Sequence, residues 1–253
     1  MHFLYDNTFD GLLTCVFEAF NRKEFPENIV GENKQLPLFI ESFRVITDDA
    51  KADRVLKALR KKISKAALDM LFISYLSELE EIEIRIFHYI QKALLAGISI
   101  ETDFTDSDVL ELSKIYKKVG REEERIRQFV RFQKTADGLF FAAMNPIYNV
   151  IPLTARFFKT RFADQQWIIY DVKREYGLYY NLKTVETVQF EQLPFATGTG
   201  RLTAEKLDQY EIAFQILWKD YLKAITIRER LNLKLQRQHM PKRFWNYLTE
   251  KQG

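Results

Sequence analysis

The sequence predicts an α+β fold in which several helices cover an antiparallel sheet, within a single compact and helix-rich body. Apolar residues recur at helical spacing in several long segments, which indicates amphipathic helices. Short runs of β-branched and aromatic residues follow one another between positions 139 and 190, which indicates neighbouring antiparallel strands. The chain is 47% hydrophobic, with 21 Phe and 12 Tyr, so it has enough apolar surface for a substantial core.

The length of 253 residues fits one large domain, and we expect a single domain over residues 1–253. Within it, the patterns predict a helical subregion at 48–135 and a subregion of sheet and C-terminal helix at 136–253. No repeat with a period of about 20–50 residues is visible, which argues against a repeat architecture.

The N-terminal segment predicts a strand at 2–6 followed by a helix with apolar residues at helical spacing. Asn7 or Thr8 can cap this helix by accepting hydrogen bonds from its first free N–H groups. Asp6 then lies at the end of the strand, where it either faces a cleft as a weak catalytic candidate or belongs to an ordinary helix entry. Because caps of this type are common, the structural interpretation is favoured.

A second strand is expected in the apolar run at 39–47, and the Thr47-Asp48-Asp49 sequence predicts the start of a helix that continues to Ser64. The buried side of that helix is apolar and its other side is basic. The basic side faces either solvent or phosphates, and the sequence leaves this choice open.

The segment at 68–95 is predicted to be mostly helical, and its glutamate cluster at 78–83 raises the question of a metal site. Glu80, Glu81 and Glu83 do not share one helix face, and no histidine is suitably spaced to join them. We therefore predict no metal site in this chain.

Two further helices are predicted at 106–119 and 121–134, separated by Gly120. Arg127 and Arg131 lie on one face of the second helix, because they are four residues apart. This face either meets phosphates or forms surface ion pairs with the glutamates that precede it, and the sequence does not decide between the two.

The segment at 137–190 predicts the sheet, with strands at 139–144, 166–171, 176–181 and 185–190 and a helix that begins at Pro152. Three charged residues lie in turns beside these strands and are weak catalytic candidates, although turn-forming roles are favoured. They are Asp137, Asp171 and Arg174.

The loop at 197–200, Thr-Gly-Thr-Gly, resembles part of a phosphate-cradling loop. No Lys-Ser/Thr pair follows it and a full glycine fingerprint is missing, which favours an ordinary loop.

The last long helix carries an apolar stripe that we expect to pack against the body of the protein. If this helix continued unbroken, Arg228 would project into the apolar side, where an unpaired guanidinium is costly. We therefore predict a bend at 225–227, a β-branched run of modest helix propensity. The stripe consists of Leu207, Tyr210, Phe214, Leu217, Tyr221 and Ile225, broadened by Trp218 and Leu222.

The final segment begins at Pro241 and is predicted to form a short turn. Phe244, Trp245 and Leu248 are expected to dock against the body, with Lys242 and Arg243 directed outwards. For Phe244 and Trp245, stacking on an unpaired base is the alternative to docking.

Two basic runs dominate the charge distribution, although the net charge of the chain is only +3. Residues 51–65 and residues 223–243 each contain seven Lys or Arg residues and one acidic residue, a net charge of +6 for each run. Concentrated positive charge of this kind suits an anionic partner.

Cys15 is the single cysteine, which excludes an intrachain disulfide and any cluster that needs several thiolates from this chain. We expect no cofactor in this chain. The sequence has neither a secretory signal pattern nor an uninterrupted apolar stretch, so we expect no membrane contact and a cytoplasmic location.

Four segments in the same order resemble the bacterial DUF4130 family, and the resemblance covers essentially the whole chain. They read YDNTFDGLLTCVFEAF, FVRFQKTADGLFFA, RFADQQWIIYDVKREYGLYYN and IRERLNLKLQRQHMPKRFWNYLTE. Family members are described as DNA metabolism proteins associated with a radical-SAM protein of DNA repair or modification, and some are fused to a uracil-DNA glycosylase-like domain. Leu233 departs from the proline that is frequent at this position in the family, which implies a looser local turn.

The resemblance implies a DNA-related role and a radical-SAM partner. Together with the two basic runs, it favours a DNA-binding accessory protein in repair or base modification, with DNA as the other partner. The alternatives are an enzyme that acts on DNA through a carboxylate site, and a protein-interaction scaffold without direct DNA binding. Whether the chain is itself an enzyme stays open. The predicted nucleic-acid contacts are Arg127, Arg131, Arg228, Arg230, Lys234, Arg237, His239, Lys242 and Arg243.

Overall fold

The chain folds as two units, Met1–Gly120 and Arg121–Gly253. The computed structural model describes residues 1–34, 40–96, 99–196 and 198–252. The first residue of the strand predicted at 39–47 and the first residue of the loop predicted at 197–200 lie outside the described residues.

The first unit is built from helices and a small parallel sheet in which β1 lies between β2 and β3. Its elements are β1 (His2–Tyr5), α1 (Phe9–Arg22), β2 (Asn28–Gly31), β3 (Ser42–Arg44), α2 (Asp49–Leu59), α3 (Lys65–Tyr75), α4 (Ile82–Leu95) and α5 (Ser107–Phe129), the last of which continues into the second unit.

The entry into α1 follows the sequence prediction. The Thr8 hydroxyl accepts a hydrogen bond from the N–H of Gly11 at 2.9 Å, so Thr8 is the cap. Leu12 and Val16 are buried, as their helical spacing predicts. The helix predicted after Thr47-Asp48-Asp49 is also present as α2, and Asp48 caps it by accepting from the N–H of Lys51.

Several helix boundaries differ from the prediction. The helix predicted to continue to Ser64 ends at Leu59, and the helix predicted to reach Lys134 ends at Phe129. The segment predicted as mostly helical at 68–95 is divided between α3 and α4, because Glu78 and Glu81 have left-handed backbone angles, φ of 52° and 62°, that interrupt a right-handed helix. In contrast, α5 passes through Gly120 without a break. One glycine costs a helix only about 1 kcal/mol relative to alanine, and the buried apolar residues of this long helix offset that cost.

The second unit contains a mixed sheet in the order β4-β5-β6-β7-β8. Its elements after α5 are β4 (Gln133–Lys134), β5 (Phe140–Met144), α6 (Ile151–Arg161), β6 (Trp167–Asp171), β7 (Tyr176–Tyr180), β8 (Val185–Val188), α7 (Glu211–Ile225), α8 (Leu233–His239) and 3₁₀ turns at Ala204–Lys206, Arg228–Arg230, Lys242–Tyr247 and Thr249–Lys251.

The predicted combination of helices and sheet is confirmed, but the sheet of the second unit is not purely antiparallel. β5 and β6 run parallel, with Phe140 opposite Trp167 and Met144 opposite Asp171, while the other pairs are antiparallel. α6 connects β5 to β6, and a helical crossover of this length brings the second strand back in the same direction as the first. Residues of β5 and β6 pack on Phe195 and Leu202 in the core.

Among the described residues, no helix combines the length and the apolar composition needed to cross a membrane.

Candidate functional site

The C-terminal basic segment is divided into short elements. α7 ends at Ile225, and the Thr226 hydroxyl donates to the carbonyl of Leu222 at 2.6 Å. A 3₁₀ turn follows, and then α8, which Asn232 caps by accepting from the N–H of Leu235 at 2.9 Å. The bend predicted at 225–227 is therefore confirmed.

These elements and residues 249–252, which we call the C-terminal tail, line a cleft of about 1000 Å³. We call it the C-terminal cleft. Five of its charged side chains are basic, and Glu250 is the acidic one. The cleft is lined by Arg131, Trp218, Lys219, Leu222, Lys223, Thr226, Arg228, Leu231, Gln236, Met240, Glu250, Lys251 and Gln252.

Glu250 joins the two sides of the cleft. Its carboxylate accepts two hydrogen bonds from Arg131, at 2.7 Å from Nη2 and 3.2 Å from Nε, and one from Trp218 Nε1 at 3.1 Å. Burial alone would raise the pKa of Glu250, but the hydrogen bonds from Arg131 and Trp218 outweigh it and hold that pKa below its ordinary value. Glu250 is therefore a structural carboxylate that remains charged at neutral pH.

The hydrogen-bond donors of Arg131 are used within the protein. Besides the bonds to Glu250, its Nη1 donates to the carbonyls of Gln128 and Val130 at 3.0 and 3.1 Å, at the C-terminal end of α5. All three guanidinium nitrogens have partners within the protein. The prediction that Arg131 contacts phosphate is replaced by a positioning role at the wall of the cleft.

The other cations of the cleft differ in the contacts that they make within the protein. Lys219 donates to the carbonyl of Gln252, and the ammonium of Lys251 lies 4.9 Å from the ring centre of Trp245. Lys223 is exposed and lies 3.5 Å from Asp220, at the outer limit of a weak surface ion pair. The side chain of Arg228 has no hydrogen-bond or ion-pair partner in the described part of the chain.

Exposed basic side chains follow one another along the bend, α8 and the start of the final turn, and we call them the cationic row. None of these side chains has a hydrogen-bond or ion-pair partner among residues 1–34, 40–96, 99–196 and 198–252, which leaves their charge available to an anionic ligand. Within α8, Lys234 and Arg237 are three residues apart and share a face. The row consists of Arg228, Arg230, Lys234, Arg237 and Lys242, and the exposed His239 lies among them.

Arg243 does not belong to this row, contrary to the prediction. Its guanidinium pairs with Glu122, whose side chain is 1% exposed, and lies 4.4 Å above the ring of Phe244. Glu122 also accepts from the N–H of Ile147 at 3.0 Å and pairs with Arg125 at 3.4 Å. The reason is electrostatic, because a buried carboxylate needs a cation and Arg243 supplies one.

The aromatic residues of the final turn dock instead of standing free. Phe244 is buried with its ring centre 5.2 Å from that of Phe129, and Leu248 is fully buried. Trp245 is partly buried and donates from Nε1 to the carbonyl of Met240 at 3.0 Å. Docking is thus confirmed for Phe244 and Leu248, so the buried Phe244 ring cannot reach a base, whereas Trp245 is held at its indole N–H and stays partly exposed.

Arg127 also has partners within the protein, as in the ion-pair alternative that the sequence left open beside phosphate contact. It pairs with Glu123 and lies 5.2 Å above the ring of Phe157. In the first basic run, Lys51 pairs with Glu18 at 2.6 Å and Arg54 lies over the ring of Phe17. Both basic faces are therefore held in part by contacts inside the protein.

The candidate carboxylates have local structural partners. Asp6 accepts from the N–H and hydroxyl of Thr8 and from the Thr47 hydroxyl. Burial favours a higher pKa for Asp6, but these hydrogen bonds prevail and lower it. Asp6 is thus part of the entry into α1, as the favoured interpretation held.

Asp137 and Asp171 do not share a site. Asp171 ends β6 opposite Met144, whereas Asp137 precedes the start of β5, so the two lie at opposite ends of a parallel strand pair. Asp171 is fully buried and pairs with Arg174 at 2.8 Å, and burial raises its pKa in spite of that arginine. Asp137 accepts from the Thr135 hydroxyl in its turn.

Across the described residues, no group of three or more His, Cys, Asp or Glu side chains could hold a metal ion.

The apolar stripe of α7 is exposed, contrary to the expectation that it packs against the body. Phe214 is 61% exposed, Leu217 62% and Tyr221 54%. α7 contacts the C-terminal tail along the edge of this stripe, through Trp218 and Lys219. The helix carries large apolar residues on more than one side, so hydrophobic spacing alone did not identify the side that packs.

Comparison with known proteins identifies the family of the chain. A family model described as a domain of unknown function, DUF4130, matches residues 80–250. No curated protein matches the chain. Among solved structures, the pGpG-specific phosphodiesterase PggH from Vibrio cholerae is similar at 11% identity over 88% of this chain and 97% of that chain, with a TM-score of 0.32, a value that supports no conclusion on function.

Proposed function

The chain belongs to the DUF4130 family, and we propose that it is a DNA-binding accessory protein in DNA repair or base modification. DNA meets the cationic row and enters the C-terminal cleft beside it. The observation that carries this proposal is the set of exposed cations, from Arg228 to Lys242, that have no hydrogen-bond or ion-pair partner among the residues the structure describes.

The electrostatic argument separates this surface from the paired arginines of the second unit. Arg127, Arg131 and Arg243 are neutralised by glutamates within the protein, so they have little charge to offer a ligand. Within the described part of the chain, no carboxylate pairs with a cation of the cationic row. Lys and Arg side chains of this kind bind phosphates and release the counterions that surround them, which supplies most of the affinity of sequence-independent DNA binding.

The accessory role follows from the chemistry that the site offers. The cleft contains cations, an indole and a structural carboxylate, a set that binds and positions a polyanion. The chemical step then belongs to a partner, and the family resemblance implies a radical-SAM protein, which would bring its own cluster. Cys15 is buried and burial raises the pKa of its thiol, so this chain does not provide a thiolate.

A protein-interaction scaffold is the second candidate, and the exposed apolar side of α7 favours it. Leu217 and Ile225 are more than half exposed there, and contiguous apolar surface on a folded protein commonly marks an interface. In this case the partner would bind the protein in the absence of DNA.

Binding to labelled duplex and single-stranded DNA across a salt titration tests the proposal. We expect the affinity to fall steeply with salt, and the Arg230→Ala/Lys234→Ala/Arg237→Ala variant to bind at least tenfold more weakly, because three phosphate contacts are lost. The matched control is Lys57→Ala/Lys61→Ala/Lys62→Ala, which removes the same charge from exposed positions of the first basic run. Equal losses in both triple variants, or binding that does not depend on salt, would refute the proposed surface.

A further inference from the structure

We infer that the DNA bound at the C-terminal cleft is single-stranded, and that Tyr221 holds one of its unpaired bases by stacking. This inference rests on the proposed function and adds to it the class of substrate. It begins from three neighbouring flat groups, two of which line the cleft while the third stands beside it on α7, and we call them the stacked column. The column consists of the Arg131 guanidinium, the Trp218 indole and the Tyr221 ring.

The Trp218 indole is the neighbour of both other members of the column. The Arg131 guanidinium carbon lies 5.8 Å from the centre of the Trp218 ring. The ring centres of Trp218 and Tyr221 are also 5.8 Å apart, with only 27° between their planes. Trp218 and Tyr221 are three residues apart on α7, so the helix itself brings the two rings together.

The inner end of the column is fixed. Glu250 binds Arg131 through two hydrogen bonds and Trp218 through a third, so one carboxylate orients the first two members. Arg131 is in turn held by backbone carbonyls at the end of α5. A base that joins such a column binds a surface whose side chains are already ordered, which reduces the entropy lost on binding.

The outer end of the column is open. Tyr221 is 54% exposed, and its ring contacts no aromatic ring other than Trp218 in the described part of the chain. Phe214 lies two turns earlier on the same side of α7 and is 61% exposed, so a second ring is available farther along the strand. Lys223 follows Tyr221 by two residues, and together with Arg228 it lines the cleft that Trp218 also lines.

This combination of open rings and cations fits single-stranded nucleic acid. A basic groove follows the backbone, and successive aromatic side chains stack on the bases. In a duplex the faces of the bases are already stacked on one another, so only an unpaired base can use Tyr221. The cationic row supplies the charge complementarity, and the aromatic side of α7 supplies the preference for single strands.

The test compares an oligothymidine of about 12 residues, within the usual site size for such surfaces, with an abasic strand of the same length and with a duplex. Tyr221→Ala is expected to weaken binding of the oligothymidine about tenfold, as is typical for loss of one base–aromatic stack. Its binding of the abasic strand and of the duplex should be unchanged. Tyr221→Phe, which keeps the ring, should bind the oligothymidine like the wild type.

Three results would overturn the inference. The first is an oligothymidine affinity that Tyr221→Ala leaves unchanged, and the second is an equal loss for the oligothymidine and the abasic strand. The third is a wild-type dimer, measured by light scattering, that Tyr221→Ala dissociates, because the ring would then belong to a protein interface. If Tyr221→Ala leaves the oligothymidine affinity unchanged but the Arg230→Ala/Lys234→Ala/Arg237→Ala variant loses DNA binding, only the stacking inference fails and the proposed function stands. If the wild type binds no DNA, both fail.

Discussion

Arg131 and Glu250, 119 residues apart in the sequence, form a bidentate ion pair at 2.7 and 3.2 Å that ties the end of α5 to the C-terminal tail. The pair is partly buried, with side-chain exposures of 24% and 10%. It also orients Trp218, so it connects the stability of the second unit to the shape of the C-terminal cleft.

The stability that this pair contributes should depend on pH. Since the folded pKa of Glu250 lies below its ordinary value of 4.5, the contribution is complete above that value and is lost as the pH falls through the folded pKa. We expect Glu250→Gln to lower the free energy of unfolding by about 1–3 kcal/mol at pH 7, and the difference from wild type to shrink below pH 4.5.

Chemical denaturation at several pH values measures this difference. Asp220→Asn is the matched control, because Asp220 forms an exposed pair with Lys223 that should contribute almost nothing. A Glu250→Gln effect that stayed constant down to pH 3 would show that the charge of the carboxylate is not what stabilises the cleft.

The neighbours Lys242 and Arg243 should respond in opposite ways to the same substitution. Arg243→Ala leaves the buried carboxylate of Glu122 with Arg125 as its remaining cation, and we expect a loss of about 3 kcal/mol in the free energy of unfolding. Lys242 is exposed and without a partner in the described part of the chain, so Lys242→Ala should leave stability unchanged and weaken DNA binding. Thermal unfolding and DNA binding of both variants check this pair, and two variants that behaved alike would contradict it.

Local features of the fold could be predicted from the sequence, because they depend on neighbouring residues. The Thr8 cap, the bend after Ile225 and the docking of Phe244 are of this kind. The partner of Arg131 could not be predicted, because no local signal connects it to a glutamate 119 residues away. For the same reason the sequence does not reveal that Arg243, which is expected to be directed outwards, pairs with Glu122.

The exposed side of α7 shows a second limit of sequence interpretation. Hydrophobic spacing identifies a helix face that can be buried, but not the surface that buries it. Tyr221 and Phe214 satisfy the spacing and yet remain exposed, since Trp218 and Lys219 make the contacts with the C-terminal tail. The exposure of each ring in the structure, and not the hydrophobic spacing, identifies the stacking candidates on α7.

Cys15 should not react in the folded protein. Its side chain is fully buried in α1, and burial raises the pKa of the thiol well above its ordinary range, so the reactive thiolate is scarce at neutral pH. We expect iodoacetamide to modify the protein rapidly in denaturant and hardly at all without it, as followed by mass spectrometry. Rapid labelling under native conditions would mean that α1 opens readily from the rest of the first unit.

The salt dependence of DNA binding should separate free cations from neutralised ones. Each phosphate contact contributes about 0.7–0.9 to the slope of log affinity against log salt. Arg228 has no internal partner among the described residues, so Arg228→Gln should make the slope shallower by nearly one such contact.

Arg127→Gln removes the same charge, but Arg127 is already paired with Glu123 and packed on Phe157, so the slope should not change. Fluorescence anisotropy with one oligonucleotide at several salt concentrations gives both slopes. If the two variants reduced the slope equally, only the overall charge of the protein would matter. A change confined to Arg228→Gln would place phosphate at the mouth of the C-terminal cleft, next to the column that Arg131 and Glu250 hold in position.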